Sequence, residues 1–244
     1  GDAAVGPVRD RRTPARPPRV GILGGTFDPV HLAHLLAAEA CRGDLALDRV
    51  LFVPAGTPPH KLGVAMSPGH DRLAMVELAI SGNGAFVASR VDLDRPGPHF
   101  TVDMLGLVRA ELGLAPDDDL WFIMGADSLV DLPTWRDPPG IVARARLAVV
   151  GRPGHVPDLE ALDRAVPGLA GRVDFVPMPL VGVSGTELRR CVAEGRSIRY
   201  QVPDAVAAYI VDHGLYRARD ARMPAHPTDA ASAAVRQGGG TVAQ

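Results

Sequence analysis

Residues 24–34 read Gly-Gly-Thr-Phe-Asp-Pro-Val-His-Leu-Ala-His and lie between a short apolar run and an Ala/Leu-rich segment. This arrangement predicts a strand at 20–23, a tight glycine turn and the start of a helix. A helix N-terminus has free N–H groups and a partial positive charge, and glycine lets the backbone approach a ligand closely. Because His31 and His34 are three positions apart, they share one helix face and can point at one ligand. The stretch therefore predicts a phosphate-binding turn.

Two alternative interpretations of this stretch carry less weight. Paired glycines alone are a common turn, and a His-x-x-His pair also occurs on solvent-exposed helices or in metal sites. A metal site is disfavoured because no cysteine or acidic residue stands at metal-ligand spacing nearby. The complete string is much more specific than any of its parts.

Length and composition indicate one domain, predicted at 19–217, with flexible tails at 1–18 and 218–244. The chain has 244 residues, 22% of them charged, and a net charge of −2. This balance favours neither nucleic acid nor a membrane surface as a partner, and there is neither an apolar run of membrane-spanning length nor a secretory signal. Cys41 and Cys191 lack a paired motif and fit a reducing cytoplasm.

Short apolar runs alternate with helical segments along the predicted domain. Strands are predicted at 20–23, 49–53, 85–89, 120–124, 147–150 and 173–176. Helices are predicted after the glycine turn, from Ser67 as cap with Pro68 as first helical residue to about 81, at 101–112, from 126, at 185–194 and at 202–213. The alternation predicts an α/β fold, Rossmann-like and doubly wound, with a mostly parallel sheet and helices on both faces. Ligands of such folds lie beyond the C-terminal ends of the strands.

Polar residues follow several of these strands. Lys61 ends a proline-rich loop after the second strand, where its point charge suits a polyphosphate, although a solvated lysine is the simpler alternative. Asp127 follows the fourth strand and can accept hydrogen bonds from ribose hydroxyls or cap a helix. Trp135 offers a flat face for stacking or belongs to the core. Thr101 stands at a helix start, where capping is its simplest role.

Ser184 precedes the helix at 185–194, and Glu187 follows it by three residues. That spacing predicts a capping box. The same helix start presents N–H groups, hydroxyls and Arg189 to a phosphate. The structural and the functional interpretation are compatible here.

The 24–34 stretch resembles the GGTFDPxHxGH motif of the nucleotidyltransferase superfamily related to class I aminoacyl-tRNA synthetases, with Ala33 where glycine is usual. The 54–61 loop resembles the Pro-x-His-Lys loop of bacterial nicotinate mononucleotide adenylyltransferases, and 125–135 resembles their Gly-x-Asp…Trp segment. Residues 183–189 resemble the superfamily's Ile-Ser-Ser-Thr-x-Ile-Arg signature, with Gly185 in place of the second serine. An Arg-Pro-Gly segment at 152–154 also matches. The resemblance covers about 20–216, with the motifs in the expected order.

The resemblance implies AMP transfer from ATP to nicotinate mononucleotide, giving nicotinate adenine dinucleotide (deamido-NAD) and pyrophosphate in NAD biosynthesis. It implies Mg²⁺ as the cofactor, held mainly by substrate phosphates rather than by protein ligands. The implied catalytic residues are His31, His34, Lys61 and Arg189. The implied ATP contacts are Gly24, Gly25, Thr26, Phe27, His31, His34, Arg152, Ser184, Gly185, Thr186 and Arg189. The implied mononucleotide contacts are Lys61, Thr101, Gly125, Asp127 and Trp135.

Two rival hypotheses stay open at this point. One is a related transferase that acts on another phosphorylated acceptor such as phosphopantetheine, or that uses CTP. The other is a nucleotide-binding regulator without catalytic activity, against which the four intact catalytic candidates count. The sequence leaves open the choice between the nicotinate and nicotinamide forms of the acceptor, and it also leaves a homo-oligomer open. Ala33 adds the hypothesis that its methyl group narrows the nucleotide cleft.

Overall fold

The computed structural model describes residues 16–56, 66–151, 157–179 and 181–217. Within these ranges six strands form one parallel sheet in the order β3-β2-β1-β4-β5-β6. The strands are β1 Val20–Gly25, β2 Arg49–Pro54, β3 Phe86–Ala88, β4 Leu120–Gly125, β5 Arg146–Gly151 and β6 Val173–Pro177. The strand order reverses between β1 and β4, and the carboxyl ends of these two strands flank the crevice in which such sheets bind ligands. The predicted Rossmann-like, doubly wound sheet is confirmed.

Helices cover both faces of the sheet. They are α1 Leu32–Asp44, α2 Gly69–Ile80, α3 Thr101–Glu111, α4 Ala126–Asp131, α5 Pro138–Arg144, α6 Leu159–Ala165, α7 Gly185–Ala193 and α8 Asp204–Asp212. The alternation along β4 shows why both faces need cover. Trp121 and Ile123 join one buried cluster with α1, α2, α7 and α8, whereas Leu120, Phe122 and Met124 join the other with α3 and α5. A strand that is apolar at every position is stable only between two layers.

Several predicted details of the helix starts are wrong. Ser67 does not cap α2, because Pro68 stays extended at ψ 145° and is itself the N-cap residue. Thr101 is the first residue of α3 and not its cap. The alternative role of Asp127 as a helix cap is also wrong, because Gly125 is the N-cap residue of α4. Each predicted cap is thus displaced by a neighbour whose extended backbone ends the preceding segment.

Helices α5 and α6 are absent from the prediction. Each has only seven residues, which is too short for a helical apolar period to stand out. Helix α5 also opens with Pro138 and Pro139, which obscure it as a helix although proline suits a first turn. Asp137 caps it by accepting a hydrogen bond from the Gly140 N–H.

Candidate active site

Two adjoining cavities lie at the carboxyl ends of β1 and β4. The larger has a volume of about 780 Å³ and the smaller about 260 Å³. Gly24, Phe122, Ser128 and Trp135 line both, so the two spaces meet along these residues. This position is where the topology predicts a ligand.

The two motif histidines stand together at the start of α1, which borders the smaller cavity. Their rings stack with centroids 3.7 Å apart, and the His31 backbone N–H donates to His34 Nδ1 over 3.2 Å. Phe27 packs edge-on against His34 at 4.9 Å. Because a neutral imidazole that accepts at Nδ1 carries its proton on Nε2, this contact sets the tautomer of His34. The His34 ring therefore presents an Nε2–H donor, and His34 lines the smaller cavity.

Both histidines are neutral at physiological pH. Burial lowers the pKa of His31 to about 4. Burial, and then the charge that His31 would carry, lower the pKa of His34 to about 3. The pair therefore adds no net positive charge, and of the two only His34 lines a cavity, where it can donate to a phosphate.

The turn between β1 and α1 is held through Asp28, which is only 4% exposed. Its carboxylate accepts from the Tyr216 hydroxyl at 2.6 Å and from the Ser67 N–H at 3.2 Å. Its backbone carbonyl accepts from Arg189 Nη1 at 2.6 Å. Segments from three distant parts of the chain therefore converge on the phosphate-binding turn.

Helix α7 brings the predicted Ser184–Arg189 segment to this turn. Ser184 Oγ accepts from the Glu187 N–H at 3.2 Å, so half of the predicted capping box forms. The other half does not, because the Glu187 carboxylate is bound to Arg190 and Arg196 instead. Arg189 also donates to Thr186 Oγ1 at 3.3 Å.

Gly185 shows how closely α7 approaches the turn. A Cβ atom at this position would lie 3.0 Å from the Asp28 carbonyl oxygen and 3.3 Å from Arg189 Nη1. A contact of 3.0 Å is tighter than ordinary van der Waals packing, so glycine suits this approach, whereas serine is usual at this position in the resembled signature.

Arg72 is a structural anchor of the site that the sequence did not single out. It is 2% exposed and donates to the carbonyls of Thr26, Ala55 and Ser67 at 2.7–3.0 Å. Burial lowers its pKa, yet the group stays charged because an arginine pKa starts so high. The side chain joins the loop after β1 to the loop after β2. An arginine within a helical run gives no sequence signal of such a role.

The predicted mononucleotide residues are only partly brought together. Thr101 and Trp135 line the larger cavity, and Gly125 lines the smaller. Trp135 also meets Phe122 edge-on at 6.3 Å, so it is both a packed residue and a cavity wall. Asp127 is exposed on α4 and is not among the described residues that line either cavity, whereas its neighbour Ser128 lines both.

A cation and an aromatic ring pack together in the wall of the larger cavity. Phe100 lines the larger cavity, and Arg136, another lining residue, places its guanidinium 4.5 Å from the centre of that ring. Arg136 gave no sequence signal of a place in the site. Lys61 and Arg152 lie outside the described residues. No group of three or more metal-binding side chains comes together within the described ranges.

Comparison with known proteins agrees with this fold and site. The cytidylyltransferase-like family matches residues 22–191, which include the β1 turn, the histidines and α7 through Cys191. This match defines the broad class as nucleotidyltransferase-like.

More similar relatives narrow the class. A protein of Thermomicrobium roseum named as a nicotinate-nucleotide adenylyltransferase is 52% identical over 206 residues, which are 84% of this chain and 95% of the relative. Two solved structures of the Plasmodium falciparum nicotinic acid mononucleotide adenylyltransferase share the fold. The one complexed with NaAD has a TM-score of 0.65 at 20% identity, and the one complexed with APC has 0.64 at 19%; both alignments cover 82% of this chain and 97% of the other. The chain belongs to the nicotinate-nucleotide adenylyltransferases.

Proposed function

We propose that this chain transfers AMP from ATP to nicotinate mononucleotide, giving deamido-NAD and pyrophosphate in NAD biosynthesis. The observation that carries the proposal is the pair of cavities that meet at Gly24 and Trp135, because two nucleotides must meet end to end in this reaction. The smaller cavity, lined by His34, is assigned to ATP. The larger cavity, lined by Thr101 and Trp135, is assigned to the mononucleotide. The names of the relatives support both substrates.

The reaction needs positioning more than acid–base chemistry. A phosphate oxygen of nicotinate mononucleotide attacks the α-phosphorus of ATP, a new P–O bond forms, and the bond to the β-phosphate breaks with its electrons leaving on pyrophosphate. The attacking oxygen is already anionic, so no general base is required. The protein contributes alignment of the two phosphates and stabilisation of the charge that builds in the transition state.

The described residues supply donors of two kinds for that charge. His34 Nε2–H is a neutral donor beside the smaller cavity. Arg189 is a cation on α7 that contacts the β1–α1 turn at the Asp28 carbonyl and lines neither cavity. The glycines of the β1 turn let backbone N–H groups approach the phosphates. Lys61, outside the described residues, is proposed as a second cation for the polyphosphate.

Mg²⁺ is proposed to enter with ATP. Because Mg²⁺ keeps several waters and commonly binds through substrate phosphates, phosphate oxygens and water are proposed as its main ligands. When bound it would neutralise part of the triphosphate charge. A cytoplasmic location is also proposed, on the support of two buried free cysteines. Along the described part of the chain, no helix has the length and apolarity needed to cross a bilayer. A homo-oligomer stays a prediction.

An acceptor screen tests the proposal. The purified chain is incubated with ATP and Mg²⁺ and with nicotinate mononucleotide, nicotinamide mononucleotide or phosphopantetheine in turn. Pyrophosphate release is measured, and products are identified by mass spectrometry. We expect the highest kcat/KM with nicotinate mononucleotide. Turnover only with phosphopantetheine would refute the assignment, and ATP binding without any product would support a regulator instead.

A further inference from the structure

Tyr216 links the end of the described chain to the phosphate-binding turn. It follows α8 and lies 188 residues from Asp28 in sequence, yet its hydroxyl donates to Asp28 Oδ1 at 2.6 Å. The side chain lies among charged neighbours. Burial and then its hydrogen bond to Asp28 raise its pKa well above the ordinary value, while the nearby Arg189 charge acts in the opposite direction. Tyr216 therefore stays protonated and remains a donor.

The Asp28 carboxylate is buried, so its hydrogen-bond donors must replace the water that it has lost. Among the described residues its side chain accepts from Tyr216 and from the Ser67 N–H. The Arg72 charge is also near, and Arg72 Nε and Nη1 donate to three backbone carbonyls rather than to this carboxylate. Losing the Tyr216 donor would leave Oδ1 of a buried carboxylate without its hydrogen bond, which is strongly unfavourable.

Arg189 is the cation placed to fill such a gap. One of its terminal nitrogens already contacts the Asp28 carbonyl at 2.6 Å, and the other makes only a long 3.3 Å contact with Thr186 Oγ1. Loss of the Tyr216 donor would favour an ion pair between this guanidinium and the carboxylate of the same residue. An ion pair with Asp28 would neutralise the Arg189 charge that the proposed reaction needs at the phosphates.

We propose that Tyr216 is a positioning residue that occupies the Asp28 carboxylate and thereby keeps the Arg189 guanidinium from pairing with it, so that the charge of Arg189 stays available to the phosphates of ATP. The inference rests on the proposed function, since it concerns ATP binding at the same site. It adds that the segment after α8 controls the charge available at the start of α7.

The chain supplies a matched control. Tyr209 lies on α8 itself, and its hydroxyl donates to Asp71 Oδ1 at 2.8 Å on α2. Tyr209→Phe and Tyr216→Phe each delete one hydroxyl that ties the C-terminal region to a buried carboxylate. Only Tyr216 is bonded to the residue that Arg189 contacts, so a purely structural role predicts similar effects for the two variants.

Steady-state kinetics at temperatures well below each Tm provide the test. We expect Tyr216→Phe to raise KM for ATP about tenfold, the scale of one charge-assisted hydrogen bond, with KM for nicotinate mononucleotide changed less than about twofold. We expect Tyr209→Phe to leave both KM values within about twofold. Should Tyr216→Phe prove too unstable to assay, Tyr216→Gln, which retains an N–H donor for Asp28, is expected to keep KM for ATP within about twofold of the wild-type value. A tenfold rise of KM for ATP in Tyr216→Gln would overturn the proposal.

A double-mutant cycle with Arg189→Gln checks that the effect passes through Arg189. In the Arg189→Gln background, Tyr216→Phe is expected to change KM for ATP by less than about twofold, because the charge it would divert is gone. Independent, multiplying effects would overturn the proposal, as would equal effects of Tyr216→Phe and Tyr209→Phe. An inactive wild-type chain would instead refute the proposed function, so the two failures are distinguishable.

Discussion

His34→Ala gives the sharpest test of how the site works. The substitution removes the Nε2–H donor that the His31 N–H fixes by occupying Nδ1. The loss of one donor aimed at a developing charge costs about 10²–10³-fold in kcat, which is roughly 3–4 kcal/mol of transition-state stabilisation. The ground-state phosphates gain less from this donor, so KM for ATP is expected to change by less than about fivefold.

The assay is a continuous measurement of pyrophosphate release over a range of ATP concentrations, with His34→Gln as the control. A glutamine at the third helical position can accept the same His31 N–H, as in a capping box, and so preserves the helix start. If His34→Gln is as stable as the wild type but its kcat stays low, the loss of kcat in His34→Ala is due to the missing imidazole and not to a damaged helix start. Near-normal kcat in His34→Ala would refute the role.

Three further predictions concern stability and ATP affinity. Because burial lowers the pKa of His31 to about 4, the unfolded chain binds a proton below about pH 6.5 that the folded chain refuses, so the free energy of unfolding falls as pH drops from 6.5 towards 4. Urea denaturation measures the free energy of unfolding at neutral pH and at about pH 5. The decrease between the two pH values should be about 2 kcal/mol smaller in His31→Gln than in the wild type, and an equal decrease in both would contradict the lowered pKa. Arg72→Met should lower the free energy of unfolding by about 3 kcal/mol, since three buried carbonyls lose their donor, and a loss below about 1 kcal/mol would show that the loops are held otherwise. Ala33→Gly should lower KM for ATP severalfold, because Ala33 lines the smaller cavity, and equal KM values would end the idea that its methyl narrows the cleft.

The sheet was predictable because its signal is local. The four inner strands are short, mostly apolar runs buried on both faces, and the edge strands β3 and β6 are partly exposed. Each of the six was predicted within about two residues at either end. The turn after β1 was predictable for the same reason, since glycines and two histidines at fixed spacing lie within eleven residues. Helices α5 and α6 were not, because seven residues hold too little periodicity.

The supporting residues of the site were not predictable because their partners are distant. Arg72 binds a carbonyl 46 residues away and Tyr216 a carboxylate 188 residues away, and neither partner is apparent before the chain folds. The prediction that Asp127 lines the site, where the structure has Ser128, failed for a different reason. Successive helical side chains differ by about 100° in direction, so an error of one position turns a residue from the cavity to solvent.

The spacing of the two histidines carries two roles at once. His31 is the N-cap residue of α1 and His34 is the third residue inside it, which is the position where glutamate or glutamine returns to the cap N–H in an ordinary capping box. A carboxylate there would satisfy the backbone but repel a phosphate. An imidazole satisfies the backbone with Nδ1 and keeps a donor on Nε2 for the ligand, while burial keeps it neutral. Moving either histidine by one residue would break both roles together, so the cap and the proposed catalytic donor depend on a single hydrogen bond.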